Sequence, residues 1–145
     1  MSVILGLDPG SRFCGYGLIK TTGNKLEYLR SGVIKTGAKS FPERLHIIFS
    51  NIVEIIEENS PDTAAVEEVF MGKNASSALK LGQARGAAIV ACTHFNLSVA
   101  EYSATKIKLA LVGKGHAEKS QVQHMVKTLL GLNKVPAEDA ADALA

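Results

Sequence analysis

The stretch Leu5-Gly-Leu-Asp-Pro-Gly-Ser-Arg-Phe-Cys-Gly-Tyr-Gly-Leu-Ile19 decides how the rest of the chain is read. Val3 to Leu7 is short and apolar, with β-branched residues at its start, and it reads as a buried strand. It closes on a single acid, Asp8. Pro9-Gly10 then turns the chain into a second apolar run, Cys14 to Lys20. Asp-Pro-Gly-Ser is ordinary turn chemistry, with Asp first, Pro second and Gly third. An acid at the end of an otherwise buried strand also has a second reading. Acids at strand ends of one sheet can converge at a common edge.

Working outward, Lys25 to Thr36 alternates roughly, with Gly32 as the expected bulge, so the first three strands form an antiparallel meander. The period then changes. Ser40-Phe41-Pro42-Glu43 is a capping-box signature, and Leu45, Ile48, Phe49, Ile52, Ile55 and Ile56 recur at helical spacing. Asn59 to Asp62 ends that helix. Thr63 to Val66 is a short buried strand running into Glu67-Glu68. Asn74 or Ser76 opens a helix through Ala91, rich in Ala and Gly. Such a face suits close packing on the sheet and contact across a dimer. Leu97 to Glu101 is another strand. Helices follow from Ser103 to about Val112, from Ala117 to Leu130, and from Pro136 onward, with Gly113 to His116 as a loop. The pattern is α/β: a five-stranded mixed sheet with α-helices on both faces, expected as a single domain over residues 1–145 with its last helix cut short.

At 145 residues, with 46% hydrophobic and 21% charged content, the chain is long enough for a real core. It has no apolar run near the ~20 residues of a membrane span and no signal-peptide pattern, so a cytoplasmic location is expected. Cys14 and Cys92 are widely spaced, fit no metal pattern, and read as buried free thiols. The net charge is only +2, but it is unevenly spread: Met71 to Lys134 carries nine Lys/Arg and two acids. A basic half beside an acidic half suits a polyanion lying on one face.

Four acids have the settings that chemistry needs. Asp8 and Glu67 end apolar strands. Asp139 and Asp142, in Glu-Asp-Ala-Ala-Asp, share one helix face. Asp139 also suits the positive end of a helix dipole, whereas Asp142 lies too far along the helix for that. Gathering such carboxylates raises their proton affinity and costs stability, a cost that a divalent cation relieves. An all-oxygen ligand set suits Mg²⁺ or Mn²⁺. Two such ions about 4 Å apart can promote in-line hydrolysis of a phosphodiester.

The strings "LGLDPGSRFCGYG", "EEVFMGKNASSALKLGQARG", "AEKSQVQHMV" and "DAADALA", in this order and covering nearly the whole chain, resemble the RuvC-type Holliday-junction resolvases. These are crossover-junction endodeoxyribonucleases of the RNase H-like superfamily. The resemblance implies an RNase H-like fold and Mg²⁺-dependent (or Mn²⁺-dependent) cleavage with two ions per site. It also implies a homodimer that cuts a four-way DNA junction symmetrically in recombination and repair, working with a branch-migration helicase complex. It maps the catalytic and metal-binding acids onto Asp8, Glu67, Asp139 and Asp142. Phe70 matches an aromatic that stacks on bases, and Lys108 and Lys119 match basic positions near the site. Lys73 and Lys114 are expected phosphate contacts by charge alone. His116 and His124 are expected to be surface or packing residues.

Three other readings remain open at this stage. The first stretch also looks like a phosphate loop of actin-like ATPases, but those pair two such domains, and "GKGHAEKS" has the wrong order for a Walker loop. A junction-binding protein without catalysis is the second. A nuclease of the same fold acting on ribosomal RNA precursors is the third.

Overall fold

The expected meander is present. β1 (Ser2–Asp8) pairs antiparallel with β2 (Phe13–Thr22), and β2 pairs antiparallel with β3 (Lys25–Lys35). The chain crosses through α1 (Phe41–Asn59) to β4 (Thr63–Glu67), which lies parallel to β1. It crosses again through α2 (Ala75–His94) to β5 (Ser98–Tyr102), parallel to β4. The helices α3 (Ala104–Val112), α4 (Lys119–Leu130) and α5 (Glu138–Leu144) complete the described elements. The computed structural model describes residues 1–68 and 74–145. Its five-stranded mixed sheet has the order β3-β2-β1-β4-β5.

The two faces of the sheet pack by different means. On one face Leu5, Leu7, Cys14 and Leu18 meet Ile48, Ile52, Ile55 and Ile56 of α1, backed by Ala84, Ala88, Ala91 and Cys92 of α2. Burying each large aliphatic side chain stabilises the fold by about 1.5–3 kcal/mol. Both cysteines are free and buried in this layer, as expected. The alanines of α2 do the packing. A Cβ placed on Gly82 or Gly86 would meet open space, so the glycines of that helix are turned away from the core.

On the other face the alternate positions of β1 and β2 are Gly6, Gly15 and Gly17, and α5 lies on them. A Cβ on Gly6 would collide with the carbonyl oxygen of Ala143, and one on Gly15 with the carbonyl oxygen of Asp139. One on Gly17 would stand 2.6 Å from Leu144 Cδ2. Glycine in a strand interior weakens it and marks a close approach of another backbone, which is its role here. Ala140, Ala141, Ala143 and Leu144 of α5 are buried by that approach. Val122 and Val126 of α4 pack with Leu144 in a second cluster. Gln123 Nε2 of α4 also donates to the Pro136 carbonyl at 3.0 Å, holding the entry to α5.

Local expectations were met with small adjustments, α2 running on to His94 and β5 spanning Ser98–Tyr102. The Ser40 hydroxyl accepts from the Glu43 N–H at 3.4 Å, as the capping signature predicts. The bulge, however, is not at Gly32. The β2–β3 register shifts between Leu18 and Ile19, leaving Leu29 unpaired, while a Cβ on Gly32 would lie 2.9 Å from the Tyr16 ring. Gly32 makes room for a side chain rather than kinking the strand. The helix expected from Ala117 starts at Lys119, after a Glu118–Gln121 capping box. The last helix starts at Glu138, two residues beyond Pro136.

The glycine face yields a test. Gly15→Ala is expected to lower stability by roughly 1–3 kcal/mol, the usual cost of overpacking, and to displace α5. Urea denaturation would report the first effect. Faster amide hydrogen exchange in Glu138–Leu144 would report the second.

Candidate active site

The sheet register brings the first two acids together. Leu7 of β1 pairs with Val66 of β4, so Asp8 and Glu67 follow side by side at the same edge. Strand alternation points both toward the face that carries α5. Asp8 pairs with Gly15, and α5 presses on Gly15 through the Asp139 backbone, so the helix enters the site directly beside Asp8. Asp142 follows one turn later on the same helix face as Asp139. All four acids are half-buried.

Two groups that the sequence reading did not single out position this edge. Thr36, only 2% exposed, donates its hydroxyl to the Ser11 carbonyl at 2.9 Å and its N–H to the Arg12 carbonyl at 3.1 Å. That ties the end of β3 to the turn behind Asp8. Arg85 of α2 donates Nε to the Glu67 carbonyl at 3.3 Å and NH2 to Glu101 at 2.7 Å, bracing the ends of β4 and β5. No motif announces either role. Alternating glycines at 15 and 17, by contrast, are a signal that could have foretold a backbone lying on that face.

The electrostatics show how tightly the acids are coupled. Burial, followed by the charges of Glu67, Asp142 and Asp139, pushes the Asp8 carboxyl from its ordinary 3.8 to about 8. The Glu67 carboxyl, close enough to share its proton, is raised too, first by burial and then by Asp142. Asp142 is raised by burial, and Lys119 and Lys108 oppose the rise. The same two lysines oppose the rise at Glu67. Lys108 and Lys119 therefore lie close enough for their charges to act on these acids. Lys119 also pairs with the Glu138 carboxylate. Lys114 is exposed in the α3–α4 connection, and its side chain makes no ion pair with a described residue. His116 and His124 are exposed. Phe70 and Lys73 lie outside the described residues.

Among the described residues no three His, Cys, Asp or Glu side chains close up into a ready set of metal ligands. Like-charged carboxylates hold apart unless a proton or a cation lies between them. The donor set nonetheless fits a hard divalent ion. It is all oxygen, drawn from three elements, and includes a carboxyl that holds its proton to about pH 8. Beside Glu67 and Asp142 a cleft of about 400 Å³ opens along the sheet, with Ile4, Ala65, Ala100 and Tyr102 among its lining. No helix among the described residues is long and apolar enough to cross a membrane.

A mixed sheet in the order β3-β2-β1-β4-β5, with acids at the ends of β1 and β4 and on a helix laid across them, defines the class of RNase H-like nucleases. A family model for "Crossover junction endodeoxyribonuclease RuvC" matches residues 4–145. The curated relative of that name from Cronobacter sakazakii is 59% identical over all of this chain and 84% of its own length. The relative of that name from Shewanella baltica is 60% identical over 99% of this chain and 83% of its own. Among solved structures, T. thermophilus RuvC in complex with a Holliday junction substrate superposes with a TM-score of 0.92 at 35% identity, over 99% of this chain and 89% of that one. The chain belongs to the RuvC family of crossover junction endodeoxyribonucleases, and it is a nuclease that resolves Holliday junctions. Membership of that family implies dependence on a divalent metal ion.

The Asp8 environment predicts a pH effect on metal-free protein. The folded chain holds a proton that the unfolded chain releases near pH 4, so this group's contribution is lost as pH rises from about 4 to about 8. Asp8→Asn is therefore expected to stabilise the protein in chelator. The gain should be absent near pH 3, grow through that window and level off above it, as read by thermal unfolding.

Proposed function

We propose that the chain works as a homodimer, each protomer cutting one of two symmetric strands of the junction, with Mg²⁺ (or Mn²⁺) at two positions per site held by Asp8, Glu67, Asp139 and Asp142. The observation that supports this most is the Asp8 carboxyl, whose affinity for a proton is raised by burial and by three neighbouring acids. A site that binds a proton this firmly is short of positive charge. Divalent ions bound there would supply Lewis-acid activation of water and stabilisation of the leaving oxygen. Asp8 and Glu67 would hold them from the sheet, and Asp139 and Asp142 from α5. Lys108 and Lys119 steady the phosphate, Lys119 by exchanging Glu138 for a phosphate oxygen. Phe70 would stack on bases at the junction centre, with Lys73 and Lys114 on the flanking backbone.

The outer face of α2 supports the homodimer. Leu79 is 71% exposed and Val90 56% exposed, and between them, on the same face, Gly82 and Gly86 leave room for a second helix to approach closely. The branch-migration helicase complex would be the dimer's working partner, and the cytoplasm, where the chromosome lies, its place of action.

A synthetic four-way junction with Mg²⁺ tests the reading. Wild type should give paired symmetric nicks with 5′-phosphate and 3′-hydroxyl ends. Asp8→Asn should lose at least about a hundredfold in rate, the scale of removing several kcal/mol of charge stabilisation. Binding without nicks by the wild type would assign the chain to junction binding alone. Leu79→Glu should shift the species seen by light scattering from dimer to monomer. An unchanged mass would remove α2 from the interface.

A further inference from the structure

The active edge carries a second basic group on the sheet face opposite Lys108 and Lys119. The strands β1, β3 and β4 all end at this edge, so α1 and α2, which follow β3 and β4, both begin there. The Thr36 hydrogen bonds to Ser11 and Arg12 fix the start of this stretch beside the turn after Asp8. The first turn of α1 brings Phe41 close to two cations. The Arg44 guanidinium carbon lies 5.0 Å from the ring centroid, and Lys80 Nζ of α2 lies 6.0 Å from it. Among the described residues neither cation has an ion-pair partner, and Glu43, beside Arg44 in sequence, pairs with neither. Arg44 Nε is buried, and no described group accepts its hydrogen.

Two positive charges gathered on one ring without a counter-anion repel each other. The ring offsets part of that cost through its negative face, and an anion held by both would offset more. A guanidinium whose stem is held against an aromatic is preorganised for a phosphate, which it meets with parallel N–H donors.

We propose that Arg44 and Lys80, held on Phe41, grip a backbone phosphate of a duplex arm entering the active edge. The DNA is then held from both faces of the sheet, by these two residues on one side and by Lys108 and Lys119 on the other. This rests on the junction-cleaving reading above and adds to it a specific phosphate contact outside the acid cluster. The contact reads no sequence. It sets the height and angle at which the strand crosses Asp8.

The test measures binding of a synthetic four-way junction in Ca²⁺ between about 50 and 200 mM salt, a range over which phosphate contacts dominate the salt response. Arg44→Gln/Lys80→Gln is expected to bind roughly tenfold more weakly near 100 mM salt, with a slope of log affinity against log salt shallower by about one, the value for one phosphate contact. Lys80 is exposed, so Lys80→Gln alone keeps the fold and should lower the slope by part of that amount. Arg44→Lys should restore most of the slope lost in Arg44→Gln. A weaker complex with an unchanged slope would mean that the pair only packs, and would overturn the proposal. Wild-type affinity and slope in the double variant would overturn it too, while leaving the function intact. Failure of wild type itself to bind the junction would defeat the functional reading and this inference with it.

Discussion

The site depends on the absence of three side chains. Gly6, Gly15 and Gly17 clear one face of β1 and β2 so that the α5 backbone can lie on the sheet, nearer than any Cβ would permit. That contact carries half of the acid cluster. Asp139 and Asp142 come near enough to raise the proton affinity of Asp8 because the helix is pressed down, and the helix can be pressed down because its inner residues, Ala140, Ala141 and Ala143, are small. The other half is held by strand register, in which Leu7 opposite Val66 fixes Asp8 beside Glu67.

The acids oppose this arrangement, since carboxylates at such separations repel. The fold overrides the repulsion with apolar packing on the far face, where Leu5, Leu18, Ile48 and Ile52 are fully buried. It also uses local ties such as Arg85 on the Glu67 carbonyl and Thr36 on the Asp8 turn. Burial first, and the remaining repulsion after it, raise the proton affinity of Asp8, Glu67 and Asp142. A carboxyl that holds its proton to about pH 8 marks an edge short of positive charge, which suits a divalent cation. Lys108 and Lys119 lower that affinity at Glu67 and Asp142, so the two sides of the site are balanced against each other rather than simply negative.

The basic residues follow the same division. One pair approaches the acids from the α3–α5 face, and the Arg44–Lys80 pair stands at the same edge on the α1–α2 face. A substrate with charge along its whole length can meet both.

Much of this was legible in the amino-acid order, because strand and helix periods, caps and turn residues act over a few positions. Five strands, the helices, the Ser40 cap and the acids at Asp8 and Glu67 follow from such local chemistry. Long shared strings placed the chain in its family. Boundaries slipped by a residue or two, as at the start of α4, where Glu118 caps a helix expected to begin at Ala117. The bulge at Leu29 was missed because register depends on the partner strand. What only the tertiary structure decided was what lies on the Gly15 face, which side of α2 faces outward, how Arg85 braces Glu67, and that Phe41, Arg44 and Lys80 meet at all. These are contacts between residues far apart along the chain. Pattern within one segment carries no information about the distance to another until the sheet order and helix docking have set it.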